Sequence, residues 1–229
     1  MRTELNPRFL KNLLSTAETP PPSNDKRVDR TCVFFLIGNK NNSPFLLAIL
    51  KADTPGYAWR NQIALPGGHI DKKDANPLEA AYRELEEEIG IPKSQVEFIG
   101  SLGHFQTIQQ KDIEVFLGTW EGNFKNISYD EKEISKVLEI PIDPLLKIHI
   151  SSNFQGHIPS IAELLYPFED MVVWGVTARI FHYFFELSNQ LQRYCLRLPC
   201  ASRIARSDHS RRHISVSPIL KIVQLYHPY

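Results

Sequence analysis

The stretch "ANPLEAAYRELEEEIGIP" (75–92) constrains the chain more than any other, because it carries its own start and stop signals. Asn76 is a good N-cap, Pro77 suits the first helical position, and Glu79 stands where a capping-box acid belongs. Gly90 fits the position after a helix end, and Pro92 forbids continuation. The spacing therefore predicts a helix over residues 77–89. On a helical wheel Leu78, Ala81, Tyr82, Leu85 and Ile89 form a stripe of roughly 100° that faces a core. Glu84, Glu87 and Glu88 share the adjoining flank, with Ala80 among them leaving space above the carboxylates. Arg83 lies four residues before Glu87, close enough to pair. Glu86 points to solvent.

Such acids sit at the wrong end of a helix, where the dipole favours cations. A solvated acidic face is the bland account of them. Two features argue for more: the carboxylates border the apolar stripe, and a Gly-rich segment, "LPGG", precedes the helix. Divalent cations remove the repulsion, and oxygen-only ligands suit Mg2+ or Mn2+, which keep waters and bind substrate phosphates.

Around this helix the 229 residues alternate in a globular way. "TCVFFLIG" (31–38) and "PFLLAIL" (44–50) read as buried strands across a polar turn. "QIALPGG" (62–68) reads as a short strand ending in a Gly-rich loop. "VEFIGSLGHFQT" and "DIEVFLGTWE" form a second pair, "YDEKEISKVLEI" reads as a helix stopping before Pro141, and "VVWGVTARIFHYFFELSNQL" as a long helix. The mixture argues an α/β or α+β fold. Residues 1–29 are expected to be a short helix and Pro-rich linker, 30–189 the main domain, and 190–229 a basic C-terminal extension. Lysines plus arginines equal acids at 26 each, so no global charge points to nucleic acid. No apolar run is long enough to span a membrane. Three scattered cysteines suit a reducing cytoplasm.

The run "GGHIDKKDANPLEAAYRELEEEIGI" (67–91) resembles the signature of the Nudix hydrolases, with its Arg-Glu-apolar-x-Glu-Glu-x-Gly-apolar core intact. The resemblance implies an α/β/α sandwich with a mixed, curved sheet. It implies metal ligands at Glu84, Glu87, Glu88 and the Gly68 carbonyl, with Arg83 orienting a glutamate. It also implies metal-dependent hydrolysis of a diphosphate linked to another group. Family members recruit a further glutamate outside the signature; Glu133 aligns with such an acid, and Asp112 and Glu114 are alternatives. The Asp74–Arg83 spacing is one residue longer than the usual pattern. That expansion, with "EISKVLEIPIDPLL" and "WGVTARI", resembles the coenzyme A pyrophosphatase branch. The stretch before "PGG" departs from that branch, having Tyr57 where an Arg falls and Asn61 where a Gly falls.

Lys51 and Arg60 are the nearby cations for a 3′-phosphate, and Gly67, Gly68 and His69 border the expected substrate. His104 also borders the cleft, while Trp174 and Phe185 are expected in the core. Cys195, Cys200, His209 and His213 have the outer spacings of a zinc site with too short a middle, and a chance match is the stronger account. The expected partner is a small-molecule diphosphate, with neither membrane nor nucleic acid; a homodimer is compatible with the sequence. ADP-ribose, NADH and nucleoside triphosphates are alternative substrates. A non-catalytic nucleotide-binding module is the alternative class, although all three glutamates are present. Replacing Glu87 or Glu88 by Gln is expected to remove activity, spare the fold and relieve repulsion.

Overall fold

The computed structural model describes residues 5–25, 27–56 and 59–197, and side chains as far as 188. Strands β1 (Arg30–Lys40) and β2 (Ser43–Lys51) form a hairpin. Asn41 and Asn42 make its two-residue loop with φ of 53° and 60°. Asparagine tolerates that left-handed geometry, which matches the strand twist. Strand β6 (Asp112–Trp120) lies parallel to β1, and β5 (Val96–Gln106) antiparallel to β6.

Towards its start β1 diverges from β2, and the chain inserts two short strands between them. β3 (Ile63–Ala64) pairs with β2, while β4 (Gly67–His69) pairs with β1. The Phe34 N–H donates to the Pro66 carbonyl at 2.9 Å, closing the wedge. Gly67 and Gly68 thus lie within the sheet instead of in the loop expected. Gly67 has φ of 144°, and a Cβ there would stand 2.2 Å from the Cys32 carbonyl oxygen, so only glycine fits.

Helix α2 (Pro77–Ile89) covers one face of the sheet, packing Ala81, Leu85 and Ile89 against Phe34, Leu36, Leu47 and Ile49. Helices α1 (Pro7–Ser15), α3 (Ile142–Ser151) and α4 (Gly175–Arg197) contribute to the core of the other face with Phe35, Ile37, Leu46 and Ala48. The alternation along β1 separates the two cores, as a strand buried on both sides requires. The result is the expected α/β/α sandwich on a mixed sheet. Leu10 and Leu13 of α1 are buried, and the Pro20 carbonyl accepts from the His104 N–H at 2.8 Å, so the first segment is packed on the sheet. No helix among the described residues is long and apolar enough to cross a membrane.

Two further expectations fail locally. The helix expected over "YDEKEISKVLEI" is instead strand β7 (Ile134–Pro141), paired with β2. Its apolar residues at 134, 137 and 138 imitate a helical period. The register shift opposite Leu50 and Lys51 places Ile134 and Val137 in the α2-side core, with Leu138 and Ile140 in the other. Pairing satisfies the backbone of β2, which a helix here would leave open. Upstream of α4, Met171–Val173 form β9, antiparallel to β8 (Tyr166–Phe168), so the long helix begins only at Gly175.

A buried polar network ties the chain between α3 and β8 to α4. His149 Nδ1 is 2.9 Å from the Tyr166 hydroxyl, and its Nε2 is 2.9 Å from Glu186. The other Glu186 oxygen accepts from the Gly156 N–H at 2.8 Å. Burial pushes the Glu186 pKa up, but His149 and the Gly156 N–H hold it below its ordinary 4.5. A lowered carboxylate pKa stabilises the fold above the ordinary value, and that stabilisation is lost as pH falls through the folded pKa. Glu186→Gln leaves one of those donors without its acceptor. Urea melts at pH 7 should show a loss of about 1–3 kcal/mol. The gap from wild type should narrow below pH 4.5.

Candidate active site

The caps of α2 form as read. Asn76 Oδ1 accepts from the Glu79 N–H at 3.0 Å, and Gly90 takes the left-handed conformation at φ 67°. The Glu79 side chain turns away from the cap to Lys93, 2.6 Å away. Ala80 is a correction: it is fully buried and belongs to the core, and does not lie open above the carboxylates. Glu86 is exposed, as expected.

Arg83 is the hub. Its Nε and Nη2 each donate to Asp74 at 3.0 Å, in a two-pronged pair. Nη2 also donates to the His69 carbonyl at 3.0 Å, while Nη1 reaches Glu84 at 2.8 Å and Glu87 at 2.7 Å. The Arg83–Glu87 pair follows from the sequence; the Asp74 fork does not, although the spacing pattern had singled out that acid. Asp74, hydrogen-bonded to Arg83, is held below the usual carboxylate range. Arg83 is correspondingly raised, by Asp74 first and then Glu84 and Glu87, although burial opposes this.

The three signature glutamates sit in different surroundings. The Glu88 side chain is 8% exposed, accepts from Lys51 Nζ at 2.6 Å and receives the Gly67 N–H at 2.8 Å. Burial raises its pKa, an effect that Lys51 and the Gly67 N–H reduce. Glu84 lies against Gly68, where a Cβ would meet its carboxylate at 2.5 Å; glycine leaves the room that the acid fills. Glu87 stands on the rim, 57% exposed. Among the described residues no group of three or more His, Cys, Asp or Glu side chains is arranged to hold a metal ion. Arg83 and Lys51 bond these oxygens in this arrangement. As a donor set, carboxylates with a backbone carbonyl suit a hard divalent cation.

A row crosses four strands on the α2 face of the sheet. His104 pairs with Glu114, Glu114 with Cys32, and Cys32 with Gly68, beside which lies Glu84. His104 Nε2 is 3.9 Å from Glu114, and its Nδ1 is 3.1 Å from Asp112. Asp112 is buried and also accepts from Gln106 at 2.9 Å and from the Ser23 N–H at 3.3 Å. It positions His104 and has no side-chain surface for a substrate. Burial, with the charges of Glu84 and Glu114, pushes the Cys32 thiol up to about 12.

The remaining candidates lie further out. Glu133 is exposed in the turn before β7, not on a helix, and its carbonyl accepts from the Ala52 N–H at 2.9 Å. His69 is exposed and 3.2 Å from Asp29. Arg60 is half exposed, 3.7 Å from Asp53. Asn61 adopts φ of 57°, and Tyr57 lies outside the described residues. Phe185 is in the core, but Trp174 is 42% exposed, against expectation. In the zinc pattern, the Cys195 side chain and residues Cys200, His209 and His213 lie outside the described residues.

Residues 26–164 match the family profile described as the NUDIX domain. Uncharacterized Nudix hydrolases named NudL, from Yersinia pestis (strain Pestoides F) and Yersinia pseudotuberculosis serotype O:1b, are 30% identical over 139 residues, 60% of this chain and 69% of theirs. Among solved structures, a C. elegans Ap4A hydrolase binary complex is 16% identical, with a TM-score of 0.46 over 72% of this chain and 99% of that one. The NUDIX domain of Shewanella oneidensis NrtR, complexed with ADP ribose, is 18% identical, with a TM-score of 0.42 over 59% of this chain and 85% of that one. With the signature helix, its glycine strand and a profile match over more than half its length, the chain belongs to the Nudix hydrolase family.

Proposed function

We propose that this Nudix hydrolase splits a diphosphate joining a nucleoside to a second group, with coenzyme A and its derivatives as the substrate class. The observation that carries the reading is the meeting of Glu84 and Glu88 with the Gly67–Gly68 backbone on one flank of α2. Glu84, Glu87, Glu88 and the Gly68 carbonyl would hold Mg2+ or Mn2+, and Lys51 and Arg83 must then yield some of the oxygens they bond. When bound, such a cation neutralises diphosphate oxygens and lowers the pKa of water.

The chain's own groups account for the rest. Arg83, fixed by Asp74, sets the orientation of Glu84 and Glu87. The Lys51 ammonium, beside Glu88, meets the phosphate oxygens. Glu114 takes the proton of the attacking water, with His104 held beside it by Asp112. The water oxygen bonds to one phosphorus, and the bridging P–O bond breaks with its electron pair on the departing phosphate. Two monophosphates result. A soluble phosphorylated substrate suits the cytoplasmic setting expected from the cysteines.

Two observations support coenzyme A. The segments after the signature resemble that branch, and the departure at Asn61 is mild in conformation. Asn61 stands at a positive φ that glycine favours and asparagine tolerates. Of the two cations expected at the 3′-phosphate, Lys51 is engaged at Glu88, which leaves Arg60 for that role.

The test compares coenzyme A, its dephosphorylated form, NADH and ADP-ribose at equal concentration with Mg2+ and Mn2+. Coenzyme A should be cleaved fastest. If it is untouched while ADP-ribose or a nucleoside triphosphate turns over, the substrate assignment is wrong and the hydrolase chemistry stands. Equal cleavage of the first two removes the role of Arg60. Glu114→Gln should lower kcat about 10²- to 10⁴-fold. Glu133→Gln should leave it nearly unchanged; the reverse pattern gives the base to Glu133. Arg83→Lys keeps charge but loses the planar fork. It should cost roughly 10²-fold in kcat with an unchanged circular dichroism spectrum. A fully active Lys variant makes Arg83 a diffuse counter-charge only.

A further inference from the structure

Residues 16–25 form a strap that crosses the outer edge of β5 and reaches the acid that holds His104. The edge is shaped to receive it. β5 ends the sheet, and its register against β6 shifts between Ser101 and Gly103, so one residue bulges. Leu102 stays in the core that α4 packs, while Gly103 takes φ of 97°. A Cβ at Gly103 would stand 2.6 Å from the Pro20 carbonyl oxygen, so glycine admits the strap. The His104 N–H then donates to that carbonyl at 2.8 Å. Pro20, Pro21 and Pro22 have no N–H, so the strap covers the edge without continuing the ladder. Just before them, the Glu18 carbonyl accepts from the buried Tyr183 hydroxyl at 2.8 Å.

Just after them, the Ser23 N–H donates to Asp112 Oδ2 at 3.3 Å. The Asp112 side chain is fully enclosed, and a buried carboxylate depends on the donors around it. It accepts from Ser23, from Gln106 Nε2 at 2.9 Å, and from His104 Nδ1 at 3.1 Å. Ser23 and Gln106 can only donate through these nitrogens, so Asp112 is the acceptor and His104 Nδ1 carries the proton. The hydrogen bond at one ring nitrogen sets the state of the other. His104 Nε2 is thereby left towards Glu114, 3.9 Å away. We infer that the strap positions the proton-accepting Glu114 through His104: Pro20 fixes the His104 backbone, and Ser23 fixes the acid that sets its ring. This role rests on the assignment of Glu114 above and extends the site to a segment 89 residues away along the chain, the separation of Ser23 and Asp112. Pro20 and Ser23 are positioning residues. A strap that only shielded the sheet edge would need the Pro20 bond alone, whereas the Ser23 N–H goes to an acid that orients a site residue.

Two readouts on the full chain separate positioning from mere support. The first is the His104 ring in long-range proton–nitrogen magnetic resonance spectra, its signals assigned by their loss in His104→Gln. In the wild type the ring should carry its proton at Nδ1. Ser23→Pro removes the N–H and should populate the Nε2 tautomer, whereas Ser23→Ala keeps the N–H and should restore the wild-type spectrum. The second is turnover of coenzyme A or ADP-ribose, whichever is cleaved faster. Ser23→Pro should lower kcat about tenfold or more with KM nearly unchanged, and Ser23→Ala should recover most of that loss. Glu186→Gln, which loses stability in the core beside α4, should keep the wild-type kcat. Hydrogen exchange of the wild type needs no variant to fold: the Ser23 and His104 amides should both be protected, and rapid exchange at Ser23 overturns the role. If the ring responds as expected and no diphosphate is cleaved, the hold of the strap on His104 stands and the hydrolase reading falls. If diphosphates are cleaved and Ser23→Pro changes neither ring nor kcat, the role of the strap alone is overturned. It is also overturned if Ser23→Pro raises KM and spares kcat, or if Glu186→Gln lowers kcat as much.

Discussion

The Arg83 guanidinium makes the arrangement of this site coherent. It spans Asp74, the His69 carbonyl, Glu84 and Glu87, joining the strand that carries the glycines to the helix that carries the acids. Only a planar fork with several fixed donors does this; an ammonium satisfies fewer of these directions. Lys51 is the second counter-charge, engaged at the most buried of the glutamates. Together they explain how carboxylates persist at the end of a helix where the dipole opposes them. The repulsion expected from the acids alone is thus already balanced. Glu88→Gln therefore relieves no net repulsion and leaves Lys51 with a weaker partner, so a gain in stability is not expected.

The strand wedge is what the arginine acts upon. Because β1 and β2 diverge, β3 and β4 complete their hydrogen bonding, and the two glycines enter the sheet under α2. Gly67 fits a φ and a spacing closed to other residues, while Gly68 leaves the space that Glu84 occupies. Backbone N–H and carboxylate are thereby brought together by sheet pairing rather than by a mobile loop, a rigid setting for chemistry that depends on orientation.

Helix α2 was legible in the sequence because its signals are local: Asn76, Pro77, Gly90 and the apolar stripe all lie within one short segment. The β1–β2 hairpin was legible for the same reason. The misreadings are of longer range. Residues 134–141 have a helical spacing only because a register shift against β2 displaces one side chain, and no local pattern reports that shift. Ala80 belongs to the core because α2 packs it with Phe34, Leu47 and Ile49, a contact made only by the tertiary fold. Trp174 is aromatic in an apolar run, and only the β8–β9 hairpin before α4 turns it towards a groove. Glu114 joins Glu84 through the pairing of β6, β1 and β4, a relation that sequence distance conceals.

On the proposed reading, the α2 carboxylates would bind a divalent cation in exchange for Lys51 and Arg83. Electron paramagnetic resonance of free Mn2+ measures this directly, with no substrate present. Titration of the wild-type protein should show saturable binding. Glu84→Gln and Glu88→Gln should each weaken it about tenfold or more, with unchanged circular dichroism spectra. Binding of Mn2+ by both variants with wild-type affinity would contradict the account.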